Sequence, residues 1–175
     1  MKKLAILILL FFMLSCSRHD TDVHDDNEGI TTVQLTFTPT SGNAKEQVFE
    51  WKDGAGELIE LNKNAEYDLS VSFLNESGLK TVDLTEEVKQ ESDAHLVVLK
   101  PTPQDLFSVL STDKDSKGRK LGLKNKIKFK NASLSGGLRV ILLHQPPVSG
   151  KEVKDGTNES IGSTDIDVNF SLVVK

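Results

Sequence analysis

Stretches in which apolar and polar residues alternate recur from residue 30 to the end of this chain. In the first, Val33, Leu35 and Phe37 alternate with Thr and Gln, the pattern of a strand with one buried face. Similar runs follow, separated by turn-forming residues, at 47–52, 58–61, 68–74, 94–99, 105–110, 121–129, 138–144 and 164–174. Roughly eight or nine short strands at this spacing predict an all-β, antiparallel, immunoglobulin-like β-sandwich.

The segment 85–91 predicts the one short helix of this fold, with Thr85 as its N-cap. The strand that begins at Ala94 is predicted to end before Pro101 and Pro103, because proline cannot donate a hydrogen bond to a β-ladder.

The spacing from Leu61 to Tyr67 resembles the tyrosine corner of immunoglobulin and fibronectin sandwiches. In that motif a tyrosine hydroxyl bonds to the backbone a few residues upstream. The alternative is a tyrosine that simply lies on a strand.

A different pattern precedes the alternating region. Lys2 and Lys3 are followed by an almost unbroken apolar run from Leu4 to Leu14. This run is too short to span a bilayer as a helix, which takes about 20 residues. A basic start, a short apolar segment and a small-residue exit predict an export signal at residues 1–15.

Leu14-Ser15-Cys16 resembles the lipobox at which bacterial lipoproteins are cut and acylated, and Cys16 is the only cysteine in the chain. The resemblance implies cleavage before Cys16 and a palmitate-type anchor at this residue. Several acyl chains hold a protein stably, at roughly 0.8 kcal/mol per buried CH2. The alternative is an ordinary secretory peptide that is cut nearby and leaves a free thiol.

Residues 16–29 are rich in Asp and poor in apolar side chains, so they predict a flexible acidic linker before a single domain at 30–175. His19 and His24 lie among these carboxylates, where metal binding is an alternative to a solvated linker. The linker interpretation is favoured because a disordered segment does not preorganise metal ligands.

The 175-residue chain has a formal net charge of -5, or about -7 once the two leader lysines are removed. An acidic protein is a poor partner for nucleic acid, whose phosphates need Lys and Arg. The chain also has no glycine-rich phosphate loop, Gly-x-Ser-x-Gly elbow or His-Glu-x-x-His motif. The prediction is therefore a protein that is not an enzyme and does not bind nucleic acid.

Histidines at two predicted strand ends give the strongest candidate chemistry. His and carboxylate ligands together suit zinc, iron or copper. The candidate metal ligands are His95, His144, Asp93, Asp165 and Asp167, to which Glu86, Glu87 or Glu91 could be added. The alternative is that both histidines are structural and bond to nearby carboxylates.

Asp113 and Asp115, with Gly118 after them, resemble the start of a calcium loop. The twelfth position of such a loop is a bidentate Glu, but here it is Lys124. An Asp-rich β-turn is the alternative.

Several stretches resemble a family of small Bacteroidota outer-membrane lipoproteins of unknown function. They are Asp93-Ala94-His95, 113–122, Leu143-His144-Gln145-Pro146 and 164–168. The resemblance implies a β-sandwich often encoded near TonB-dependent receptors, and hence such a receptor or another envelope protein as partner. Acidic residues after Cys16 resemble surface-export signals of these lipoproteins, so the periplasmic and cell-surface faces both stay open.

Three functions remain. The favoured one is a membrane-anchored ligand- or partner-binding module of the cell envelope, accessory to nutrient or metal uptake. The alternatives are a structural or adhesive envelope protein and a metal-dependent enzyme that uses His95 and His144.

Overall fold

The computed structural model describes residues 29–63, 65–129 and 135–175, so Cys16, His19 and His24 lie outside the described residues. The described part is mostly β and contains one short helix, α1 (Thr85–Gln90). Its strands are β1 (Thr32–Pro39), β2 (Gln47–Lys52), β3 (Ala55–Gly56), β4 (Ile59–Leu61), β5 (Glu66–Asn75), β6 (Val82–Asp83), β7 (His95–Thr102), β8 (Phe107–Ser111), β9 (Lys124–Phe129), β10 (Ser135–His144) and β11 (Ser163–Val174).

The strands form two sheets, and the prediction of an all-β sandwich is confirmed. One sheet has the order β3-β2-β1-β5-β9-β8, with the short β6 also paired to β5. The other has the order β4-β11-β10-β7. The named strand pairs are antiparallel as predicted, apart from β4 and β11, which are parallel.

The apolar positions of the alternating pattern form the main core between the sheets. Val33, Leu35 and Phe37 of β1 are fully buried there. Residues of β10 and β11 that include Val140 and Phe170 meet them from the other sheet. Burying each such side chain contributes about 1.5–3 kcal/mol, so the alternation itself accounts for the sandwich.

A smaller apolar cluster lies on the other face of the four-stranded sheet and consists of Leu96, Val98, Ile141 and Leu143. The loop segment 145–162 is tied to this sheet at Glu159 and is closed on itself at Gln145. Glu159 pairs with Lys100 of β7 at 2.5 Å. The Gln145 side-chain amide donates to the carbonyl of Ile161 at 2.9 Å.

The tyrosine corner is confirmed. The Asn62 amide donates a hydrogen bond to the Tyr67 hydroxyl at 2.9 Å. The Tyr67 ring contacts Phe37 and Phe129 edge to face, at centroid distances of 6.0 and 6.4 Å. The corner therefore fixes the chain before β5 while its ring packs in the core.

The prediction of Thr85 as an N-cap is wrong. The N-cap is Leu84, which makes no side-chain capping bond, and Thr85 is the first helical residue. The Thr85 hydroxyl instead accepts a hydrogen bond from the Phe73 amide at 2.9 Å. The Thr85 hydroxyl therefore bonds to the backbone of β5 and does not cap the helix.

Two predicted strand ends also differ from the structure. β7 continues through Pro101 to Thr102, which is possible because β7 is an outer strand and proline needs no partner on its open side. β9 begins at Lys124 instead of residue 121, since Gly122 has φ of +94° and lies against the Val97 carbonyl. A left-handed residue in that position interrupts the strand.

Among the described residues, no helix is long and apolar enough to cross a membrane.

Replacing Tyr67 by Phe should lower the free energy of unfolding by about 1 kcal/mol, because the change deletes the corner hydrogen bond and keeps the ring. Urea unfolding at pH 7 measures it. An unchanged unfolding midpoint would mean that this bond does not stabilise the fold.

Candidate functional site

Two histidines meet at the end of the four-stranded sheet. The antiparallel register of β7 and β10 places His95 directly opposite His144. Both lie on the core side of their strands, since His95 alternates with Val97 and His144 with Leu142. The two rings stack with centroids 4.8 Å apart and planes 14° from parallel. The structure therefore brings together the two histidines, whose convergence the sequence leaves open.

His95 is buried, and oxygens face both of its ring nitrogens. Nδ1 lies 3.2 Å from the Glu91 carbonyl oxygen. Because a carbonyl oxygen can only accept, Nδ1 carries the proton and donates. Nε2 then points to Asp165, whose Oδ2 is 3.6 Å away.

Asp165 reaches this position through an irregularity in β11. The even-numbered residues of β11 from Val168 onward face the core, so Asp165 in a regular strand would point outward. The register shifts between Leu142, opposite Ile166, and Leu143, opposite Thr164, which leaves Asp165 as an extra residue. A bulge of this kind re-aims a side chain, and that of Asp165 is only 2% exposed.

Glu91, just after α1, completes a group of three side chains. One carboxylate oxygen of Glu91 and one ring nitrogen each of His95 and His144 lie within 4.8 Å of one another. The three residues differ in exposure: His95 is buried, His144 is half-buried and Glu91 is exposed. The arrangement has the donor types and the proximity of a metal site.

Besides Asp165, two further predicted ligands, Asp93 and Asp167, are not part of this group. The Asp93 carboxylate accepts hydrogen bonds of 2.9 and 2.7 Å from the Ser116 hydroxyl, which lower its pKa. The Asp167 carboxylate forms a bidentate pair with Arg139 on the outer face of the sheet, and this pair lowers the pKa of Asp167. In this structure each of these two carboxylates bonds to a nearer partner than the histidine pair.

Asp113 and Asp115, the candidate calcium-loop residues, bond to backbone amides and to basic side chains in this structure. The Asp113 carboxylate accepts hydrogen bonds from the amides of Gly122 and Leu123, at 2.9 and 3.0 Å. Asp115 forms a β-turn, in which the Gly118 amide donates to its carbonyl at 3.1 Å. Both carboxylates organise backbone, as the turn alternative expects.

Asp115, Lys154 and Arg119 form a buried ion cluster, here called the clasp. Asp115 Oδ2 lies 3.0 Å from Lys154 Nζ and 2.7 Å from Arg119 Nε. The side chains of Asp115 and Lys154 have no solvent exposure. Lys154 Nζ also donates to the Ser92 carbonyl at 2.6 Å, and Arg119 Nη1 donates to the Lys154 carbonyl at 2.7 Å.

The clasp shifts the titration of its members. Burial by itself raises the pKa of Asp115, but the Arg119 amide, the Lys154 ammonium and the Arg119 guanidinium outweigh it and lower the pKa to about 2. Burial lowers the pKa of Lys154, and Asp115 opposes this shift only in part. Asp115 therefore stays ionised and anchors the loop that carries Lys154.

A pocket of about 510 Å³ opens beside the histidine pair. Its wall contains His144 with the apolar residues Ala94, Pro146 and Pro147. The charged residues of its wall are Glu87, Glu91, Asp93, Glu152 and Lys117. Four carboxylates face one ammonium, and Lys117 is itself paired with Glu152. The pocket is suited to a positively charged ligand.

Sequence reasoning missed Lys154, Arg119 and Glu152. They lie in polar loops without periodicity, and their roles depend on contacts between segments far apart in the chain. No local pattern distinguishes Lys154 from a solvated lysine.

Comparisons with known proteins assign no function. No protein-family model, curated protein or solved structure matches this chain. The interpretation of the site rests on its own geometry.

Replacing Asp115 by Asn should lower the free energy of unfolding at pH 7 by about 3 kcal/mol, since it leaves the buried Lys154 charge without a counterion. The matched control is Asp68→Asn, which breaks an exposed pair with Lys126 and should cost less than about 1 kcal/mol. Equal losses in urea unfolding would contradict a special role for the clasp.

The same carboxylate sets a pH dependence. The pKa of Asp115 is lowered from its ordinary value of 3.8 to about 2. Its stabilisation is therefore fully present above about pH 4 and is lost as the pH falls toward 2. Unfolding curves of the natural protein and of Asp115→Asn should converge over that window. Curves that stay equally far apart down to pH 2 would contradict this pKa.

Proposed function

We propose that this chain is a lipid-anchored binding module of the cell envelope that takes a positively charged ligand in the pocket beside α1. The observation that carries the proposal is the wall of four carboxylates around about 510 Å³. Lys117 and Arg119 offset the charges of Asp93 and Glu152, so the mutual repulsion that a bound cation would relieve is mainly that of Glu87 and Glu91. The role is binding, and not catalysis.

The position of the pocket fits an anchored protein. A Cβ atom on Gly29 would lie 3.7 Å from Leu84, at the start of α1, and Glu91 of the pocket wall follows this helix. From Leu84 to Glu91 the helix spans about 10 Å. The described chain therefore begins near the helix whose far end borders the pocket, which supports the proposal that the pocket lies toward an anchor.

The resemblance to outer-membrane lipoproteins supports a partner as well. A TonB-dependent receptor in the same membrane would meet the anchored end of this domain. We propose that the ligand passes between the pocket and such a receptor or another envelope protein.

Hexaamminecobalt(III) tests the pocket by charge alone, because its ammonia ligands do not exchange. Calorimetry of the detergent-solubilised full-length protein at low salt should show binding that weakens as salt is added. Glu87→Gln combined with Glu152→Gln should weaken it roughly tenfold. Glu46→Gln combined with Glu66→Gln removes two exposed charges away from the pocket and should leave it unchanged. Equal weakening by both pairs would show that only the net charge matters.

Acylation is tested at Cys16. Cells that express the natural chain and are fed labelled palmitate should incorporate the label into the protein, and membranes should retain it. Cys16→Ser should abolish the label and release the protein from the membrane fraction. Retention of the label in this variant would contradict the anchor.

A further inference from the structure

We propose that the base of this pocket binds a transition-metal ion of the zinc class through His95, His144 and Asp165, with Glu91 as the fourth ligand. This inference rests on the proposed function, since it names the ligand class of the same pocket.

The donor set selects the class of ion. Two imidazoles and two carboxylates suit zinc and its neighbours, whereas calcium and magnesium prefer sites made of oxygen alone. Two neutral imidazoles, two carboxylates and one dication sum to zero charge. That balance matters here, because His95 and Asp165 lie where water does not solvate a net charge.

His95 is already oriented as a metal ligand. Its Nδ1 donates to the Glu91 carbonyl at 3.2 Å, so in the neutral ring Nε2 carries the lone pair. Histidines that bind metals commonly donate their other nitrogen to a backbone carbonyl in this way. The bond fixes both the tautomer and the direction of the ring.

The separation between Nε2 of His95 and Oδ2 of Asp165 fits an ion between them. These two atoms are 3.6 Å apart. Two ligand atoms bound tetrahedrally at about 2.0–2.2 Å lie roughly 3.4 Å apart. A movement of a few tenths of an ångström would therefore bring both atoms into coordination distance.

His144 and Glu91 must move further. The stacked rings are nearly parallel, so their lone pairs do not point at a common centre. His144 is half-buried and forms part of the pocket wall, so its ring has space to rotate out of the stack. Glu91 is exposed and can swing inward. Metal binding thus rearranges the exposed half of the site and leaves the buried half in place.

The test is zinc binding by the detergent-solubilised full-length protein. Calorimetry should show one Zn²⁺ per chain, with no comparable binding of Mg²⁺ or Ca²⁺. X-ray absorption at the zinc edge should show two imidazole ligands. His144→Gln should weaken Zn²⁺ binding at least 100-fold, and Asp165→Asn at least tenfold. Asp167→Asn, on the outer face of the same strand, is the matched control and should bind as the natural protein does.

Circular dichroism confirms that each variant is folded, and if His144→Gln is not, the absorption spectrum of the natural protein decides. A spectrum without imidazole, or equal zinc affinity in folded His144→Gln, overturns the metal site. If hexaamminecobalt(III) still binds while the zinc test fails, the proposed cation-binding pocket stands and only the metal site is overturned. Failure of both ions to bind overturns the proposed function as well.

Discussion

Asp115 accepts hydrogen bonds from Lys154 and Arg119 in a place that water does not reach, and the second half of the molecule is arranged around this contact. Lys154 belongs to the segment 145–162, which has no long strand of its own. Burying its ammonium is unfavourable unless a counterion meets it, so the segment can close over the sheet only where Asp115 stands. A charge pair thus decides the position of a loop that hydrophobic burial alone would leave free to shift.

Arg119 links the clasp to the wall of the pocket. Arg119 reaches from Asp115 to Glu152 of the pocket wall at 3.1 Å, and its Nη2 donates to the Asp93 carbonyl at 3.3 Å. Glu152 in turn pairs with Lys117. The acidic side chains of the wall are therefore held by cations that the clasp positions. The pocket keeps its shape without neutralising the carboxylates of Glu87 and Glu91.

Much of the fold follows from local pattern. The alternation of Val33, Leu35 and Phe37 predicts their burial, because a strand has only two faces. The tyrosine corner is likewise contained in one short stretch. The sequence predicts that His95 and His144 each lie at the end of a strand. That the two strands pair, with these residues opposite each other, is visible only in the structure. The inward turn of Asp165 could not be predicted, since it depends on one unmatched residue between two strands.

The gradient of burial across the site determines how a ligand can exchange. The side chains of His95 and Asp165 are buried. The sheet and the Glu91 carbonyl hold His95, and the bulge in β11 directs Asp165 toward it. His144 and Glu91 lie progressively nearer to solvent. If the proposed ion binds here, it would meet the more exposed donors, His144 and Glu91, before the buried ones. A site built in this order would suit a protein that hands its ligand on.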